Sequence, residues 1–158
     1  MAHSAYVFLD FDGVLHRVGG EVFQPECLDY LADALDPLPG VCLVISSSWR
    51  EVYDLEALQD FLGPRLGPRI VGTNPVIDDP FLHQCRYHEC MAFLADSGAP
   101  DAPWVALDDE PGNYPAGAPV IYTNYRTALT REDADALRSL LSARILLPNA
   151  PETDNLAR

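Results

Sequence analysis

Three apolar runs that each stop abruptly at oxygen-bearing residues constrain this chain more than any other feature. Residues 5–10 (AYVFLD) run into Phe11-Asp12-Gly13, residues 41–45 (VCLVI) into Ser46-Ser47-Ser48, and residues 104–107 (WVAL) into Asp108-Asp109-Glu110. An apolar run without polar alternation is the pattern of a strand buried on both faces, as in a parallel sheet. Residues 119–123 (PVIYT) repeat the form, and 69–72 (RIVG) make a weaker fifth strand. Helical spacing fills the gaps. Residues 25–35 open with a proline at the helix start, and 53–62 place Leu55, Leu58 and Leu62 on one face. Residues 81–95 and 130–143 complete the set, the last opening TRED, an N-cap followed by acids.

Strands alternating with helices predict an α/β, three-layer, Rossmann-like domain with a mainly parallel central sheet. Ligands of such sheets bind beyond the carboxyl ends of the strands. A length of 158 residues with 48% hydrophobic content suits one domain, expected over residues 1–147. Residues 148–158 (PNAPETDNLAR), poor in apolar side chains, read as a flexible C-terminal tail. No apolar run approaches the ~20 residues of a membrane span, and the first residues lack a basic region and cleavage site, so a cytoplasmic protein is expected. Cys27, Cys42, Cys85 and Cys90 are scattered as reduced thiols would be.

The net charge is −14, and all ten basic residues are arginines. That field disfavours non-specific binding of nucleic acid but leaves room for a local arginine to hold a phosphate. Acidity of this kind also serves plain solubility.

In a parallel sheet the three polar strand ends meet. Asp10, Asp12, Asp108 and Asp109 would then repel one another unless a cation neutralised them, and oxygen ligands call for a hard ion, magnesium. With a phosphate at that ion, one carboxylate can attack phosphorus while its neighbour two residues on handles the proton.

FLDFDGVL resembles the first motif of the haloacid dehalogenase (HAD) superfamily, whose phosphatases carry DxD after a hydrophobic strand. LVISSSW is similar to the second motif and WVALDDE to the fourth, so the likeness covers residues 6–123. The resemblance implies that Asp10 is the nucleophile and that Asp12 protonates the leaving group and then activates water. It implies that Ser46 binds a phosphate oxygen, with Ser47 the alternative in a run of three serines. Asp10, the Asp12 backbone carbonyl, Asp108 and Asp109 would hold magnesium, Asp108 directly. The third motif is usually a lysine, which this chain lacks; Arg86, opening RYHEC, stands in its place, with Arg50 the second choice. GTNPV and RYHEC also resemble the GxTP and RxxEI segments of a subgroup that includes the phosphatase-like domain of Swiss Army Knife RNA repair proteins.

Members of the superfamily often carry a cap domain. Here residues 13–40 are taken up by a hairpin-like stretch (HRVGGEVF) and one helix, which leaves no cap and an open site. The expectation is a magnesium-dependent phosphomonoester hydrolase, its partner a phosphorylated small molecule or polynucleotide end. A polynucleotide end phosphatase in nucleic-acid repair and a non-catalytic phosphate-binding module are the alternatives.

Other groupings have plainer readings. His83, Cys85, His88 and Cys90 match no common zinc knuckle and read as a mixture of core and surface. Trp49, Trp104 and Tyr87 suit core or rim packing better than base stacking. Asp78-Asp79-Pro80 is a loop turn.

Overall fold

The fold was taken from a computed structural model, which describes residues 3–20 and 23–147. Five strands, β1 (Ala5–Leu9), β2 (Val41–Ile45), β3 (Ile70–Thr73), β4 (Trp104–Asp108) and β5 (Val120–Tyr122), form one sheet in the order β3-β2-β1-β4-β5, with every pairing parallel. Four α-helices, α1 (Pro25–Leu35), α2 (Leu55–Leu66), α3 (Cys85–Asp96) and α4 (Arg131–Leu146), cover it. The architecture is the expected Rossmann-like three-layer sandwich.

Alternation along β1 divides the core. Ala5, Val7 and Leu9 join Leu43, Ile45, Val105 and Leu107 beneath Leu31 and Leu35 of α1, Leu58 and Leu62 of α2, and Leu137 and Leu141 of α4. Tyr6 and Phe8 point the other way, with Val44, Trp104 and Ala106, against Cys90 and Leu94 of α3. Each fully buried leucine contributes about 1.5–3 kcal/mol. A one-residue slip of β1 would exchange its two faces, so this packing fixes the register. Leu9 pairs with Ile45 on one side and Leu107 on the other, and Asp10, Ser46 and Asp108 therefore emerge at one level.

Several boundaries differ from the sequence reading. Helix α2 begins at Leu55, which is 38% exposed rather than on the buried face, and a turn continues past Gly63 (φ 78°) and Pro64 to Leu66. Helix α3 begins at Cys85, not at residue 81, because the Asp79 side chain accepts from the Phe81 N–H and holds a turn there, leaving Phe81 exposed. Helix α4 has the expected cap: Thr130 Oγ1 accepts from the Asp133 N–H, and the Asp133 carboxylate accepts from the Thr130 N–H. The described part of HRVGGEVF forms a turn closed by Gly20 N–H to Arg17 O, not a hairpin ladder. Among the described residues no cap is inserted between β1 and α1 or between β2 and α3. The proposed tail, 148–158, lies outside the described residues. No helix among the described residues is long and apolar enough to cross a membrane.

Candidate active site

The carboxyl ends of β1, β2 and β4 carry the site. Asp10 is 5% exposed, and its N–H donates to Leu107 O at 3.1 Å; the Ser46 N–H donates to Leu9 O at 3.0 Å. Asp108 is fully buried, held by the Glu110 N–H at 2.9 Å and by Asn113 Nδ2 at 3.2 Å, both on Oδ1. Carboxylate oxygens of Asp10, Asp108 and Asp109 lie within 4.8 Å of one another. Arg86 Nη1 stands between two of them, 3.1 Å from Asp10 Oδ1 and 3.2 Å from Asp108 Oδ2. Gly13 has φ +77°, and a Cβ there would lie 2.6 Å from Asp109 Cγ, so glycine is what lets the first loop close on the second acid pair. Thr123 Oγ1 fastens that loop by donating to Gly13 O at 2.8 Å.

Crowding these acids changes their proton affinity. Burial pushes the Asp10 carboxyl up to about 7, and Asp108 and Asp109 add to the rise while Arg86 opposes it. Asp109 is raised too, by burial and then by Asp108. Burial disfavours the Arg86 charge, but Asp10 and Asp108 more than offset this and hold the guanidinium charged. Three ionised carboxylates against one guanidinium leave two negative charges, which a divalent hard cation would neutralise, and every available ligand is oxygen. The residues present fit magnesium.

A stability test follows from Asp10. Its folded value lies above the ordinary 3.8, so the folded state holds the proton more firmly, and stability is lost as pH rises from about 4 through about 7. Metal-free protein is expected to melt roughly 5 °C or more lower at pH 8 than at pH 5.5, with magnesium restoring the loss chiefly at pH 8. Calorimetry with chelator and with magnesium checks this; equal magnesium effects at both pH values would refute the repulsive cluster.

A family model described as the HAD domain in Swiss Army Knife RNA repair proteins matches residues 6–134. The chain belongs to that family. No curated protein and no solved structure matches it. The matched span of the HAD domain runs from Tyr6 in β1 through the other four strands and reaches the first turn of α4. Within it, the two arginines considered in place of the missing lysine have different surroundings. Arg86 faces the acids. Arg50 donates to the carbonyls of Ser46, Ser47, Asn74 and Pro75 and to Glu89 Oε2, so its guanidinium joins the ends of β2 and β3 to α3 and has no N–H left for a phosphate. The sequence-based alternative of Arg50 as a substrate ligand is corrected by that engagement.

The serine register is equally plain in geometry. Ser47 Oγ accepts from the Trp49 N–H at 3.2 Å and caps the short turn Ser48–Glu51, whereas Ser46 Oγ is fully buried without a partner among the described residues. Asp12 does not join the clustered carboxylates; its side chain meets His16. His16 and Asn113 were absent from the sequence-based site, for neither stands in a motif. Cys90 and Cys85 of the rejected zinc grouping are occupied otherwise, Cys90 Sγ with Asn74 Nδ2 and Cys85 Sγ with Ile77 O. Trp104 is buried in the sheet core, Tyr87 packs beside it, and Trp49 packs between Phe11, Phe23 and Phe61.

Proposed function

We propose that this HAD domain is a magnesium-dependent phosphomonoester hydrolase that works through an aspartyl-phosphate on Asp10. One observation carries the reading: the buried Asp10 carboxylate follows the central strand at the level of Ser46, whose buried Oγ has no partner among the described residues, and lies 3.1 Å from Arg86 Nη1. A nucleophile, a phosphate-oxygen donor and a positive charge brought in from α3 thus meet at the carboxyl end of the sheet. Asp10 Oδ attacks phosphorus as the ester P–O bond breaks, and Asp12 gives its proton to the departing alkoxide. Asp12 then takes a proton from water, whose oxygen attacks the phosphoryl group and releases phosphate and Asp10. Arg86 balances charge on Asp10 and on the equatorial oxygens throughout. Asp10, Asp108, Asp109 and the Asp12 carbonyl would hold magnesium, which when bound supplies charge neutralisation for the transferring group.

The family's RNA repair proteins favour a phosphorylated polynucleotide end as the substrate. The uncapped site supports access for such an end, while the −14 net charge requires recognition to be local. Phosphate release from an aryl phosphate, nucleotides, sugar phosphates and 3′- or 5′-phosphorylated oligonucleotides, with magnesium or chelator, tests both levels. Magnesium-dependent turnover is expected, fastest on the oligonucleotides. Equal rates on nucleotides and oligonucleotides would remove the polynucleotide reading. Tight phosphate-ester binding with no turnover would replace the enzyme with a binding module.

A further inference from the structure

The His16 imidazole is a polar ring in an aromatic setting where phenylalanine would pack as well, and the phosphatase chemistry described so far does not use it. Its side chain is 3% exposed, stacked on Phe23 at 5.7 Å and leaning on Trp49 at 5.8 Å. The backbone brings it there. Gly13 N–H donates to His16 O at 2.8 Å, and residues 12 and 16 form an isolated parallel bridge, so a tight loop returns the chain to Asp12. Nδ1 lies 2.8 Å from Arg17 O; a carbonyl only accepts, so Nδ1 carries the hydrogen and Nε2 is the atom turned to Asp12. Nε2 reaches Asp12 Oδ1 at 2.9 Å, a contact that attracts when one of the two atoms carries a proton, though the pair is not aligned for a full hydrogen bond.

Asp12 needs such a support. Its side chain is 48% exposed, and His16 is the side-chain partner it has among the described residues. An unsupported aspartate two residues from Asp10 could rotate between several staggered positions, including ones that turn it toward the crowded acids. A proton-transfer group acts only when held within hydrogen-bond reach of the reacting oxygen.

We propose that His16 is a positioning residue for Asp12: the clamped ring holds the Asp12 carboxyl apart from the Asp10, Asp108 and Asp109 cluster, in the orientation that serves proton transfer. The proposal rests on the phosphatase reading for its consequence, and on the Asp12 contact for its structure.

Leaving-group chemistry separates this role from packing. A 4-nitrophenolate leaves without a proton, whereas an alkoxide needs one, so loss of Asp12 orientation must fall on the alkyl ester. In His16→Phe, which keeps the stacking, kcat/KM for an alkyl phosphate is expected to drop about tenfold or more, a part of the 10²–10⁴ that proton transfer contributes, while that for 4-nitrophenyl phosphate changes less than about threefold. His16→Gln, whose amide can set either a donor or an acceptor in the place of Nε2, should restore much of the alkyl-ester rate. Melting temperatures establish folding, and His16→Leu gives the same reading if the phenylalanine variant does not fold. Equal losses on both esters, or none, overturn the proposal. Crystal structures of wild type and His16→Phe supply a second arm: Asp12 is expected to leave its position, and an unmoved Asp12 overturns the proposal whether or not either protein turns over. Wild type inactive on every phosphomonoester would instead overturn the phosphatase reading, with the Asp12 position still deciding the role of His16.

Discussion

Replacing Asp10 with asparagine is expected to lower phosphate release by at least about a thousandfold and, in the same protein, to raise the melting temperature at pH 8 when no metal is present. The activity loss follows from removing the attacking oxygen: an amide keeps the shape and one acceptor but cannot form the phosphoryl ester. The stability gain follows from the surroundings. Asp10 is 5% exposed and shares a space under 5 Å with two other carboxylates, so its charge is resisted by burial first and by Asp108 and Asp109 next. A neutral amide meets none of that resistance, and Arg86 retains Asp108 as its partner. A site strained for chemistry commonly shows this opposition between activity and stability. The pH dependence of metal-free melting should flatten in the variant as well. Turnover within tenfold of wild type would end the case for Asp10 as nucleophile, whatever the melting temperature did.

Arg86→Met is expected to reduce kcat/KM by about 10²–10³, the range seen when a preorganised charge-stabilising donor is removed. It should also destabilise the protein at pH 8 by about 3–5 kcal/mol, because the fully buried Asp108 and the nearly buried Asp10 lose the cation that both touch. At pH 5.5 the stability loss should shrink, since Asp10, already raised to about 7, can take up a proton instead. Arg86→Lys should recover a substantial share of both, as a flexible ammonium can reach the same carboxylates, though without the two-pronged grip on phosphate. Urea unfolding at the two pH values together with steady-state kinetics decides the matter. An Arg86→Met protein of unchanged kcat/KM would mean that the guanidinium serves the fold alone.

What could be read from the sequence was set by how local its cause is. The limits of β2 and α1 are those expected from residues 41–45 and 25–35, for each is bounded by a change visible within the segment, apolar to serine in one case and proline entry in the other. The start of α3 differs because the apolar Phe81 and Leu82 extend the helical pattern, while the Phe81 and Leu82 N–H groups both donate to Asp79 and Gln84 takes a left-handed backbone (φ 54°) before the helix begins. The apolar spacing over residues 53–62 stops at Leu62; the chain instead kinks at Gly63 and completes another turn, with Leu66 buried. In the site, Asp10, Ser46, Asp108 and Asp109 were legible because strand ends of one sheet must converge. Arg86 needed the family likeness, since nothing local distinguishes it from Arg50. His16 was not legible at all: a histidine four residues after Asp12 gains meaning only when a bridge folds it back.

Strand β1, which delivers Asp10, lies in the middle of the sheet and is hydrogen-bonded along both edges, to β2 and to β4. Displacing Asp10 therefore requires two ladders to open together, an event as rare as unfolding of the domain itself. The loops at the mouth carry no such penalty and can fluctuate or be exchanged on their own. The Asp10 carboxylate is in this sense tied to the most long-lived part of the molecule, and selection acting on the loops can alter what reaches it without ever loosening it.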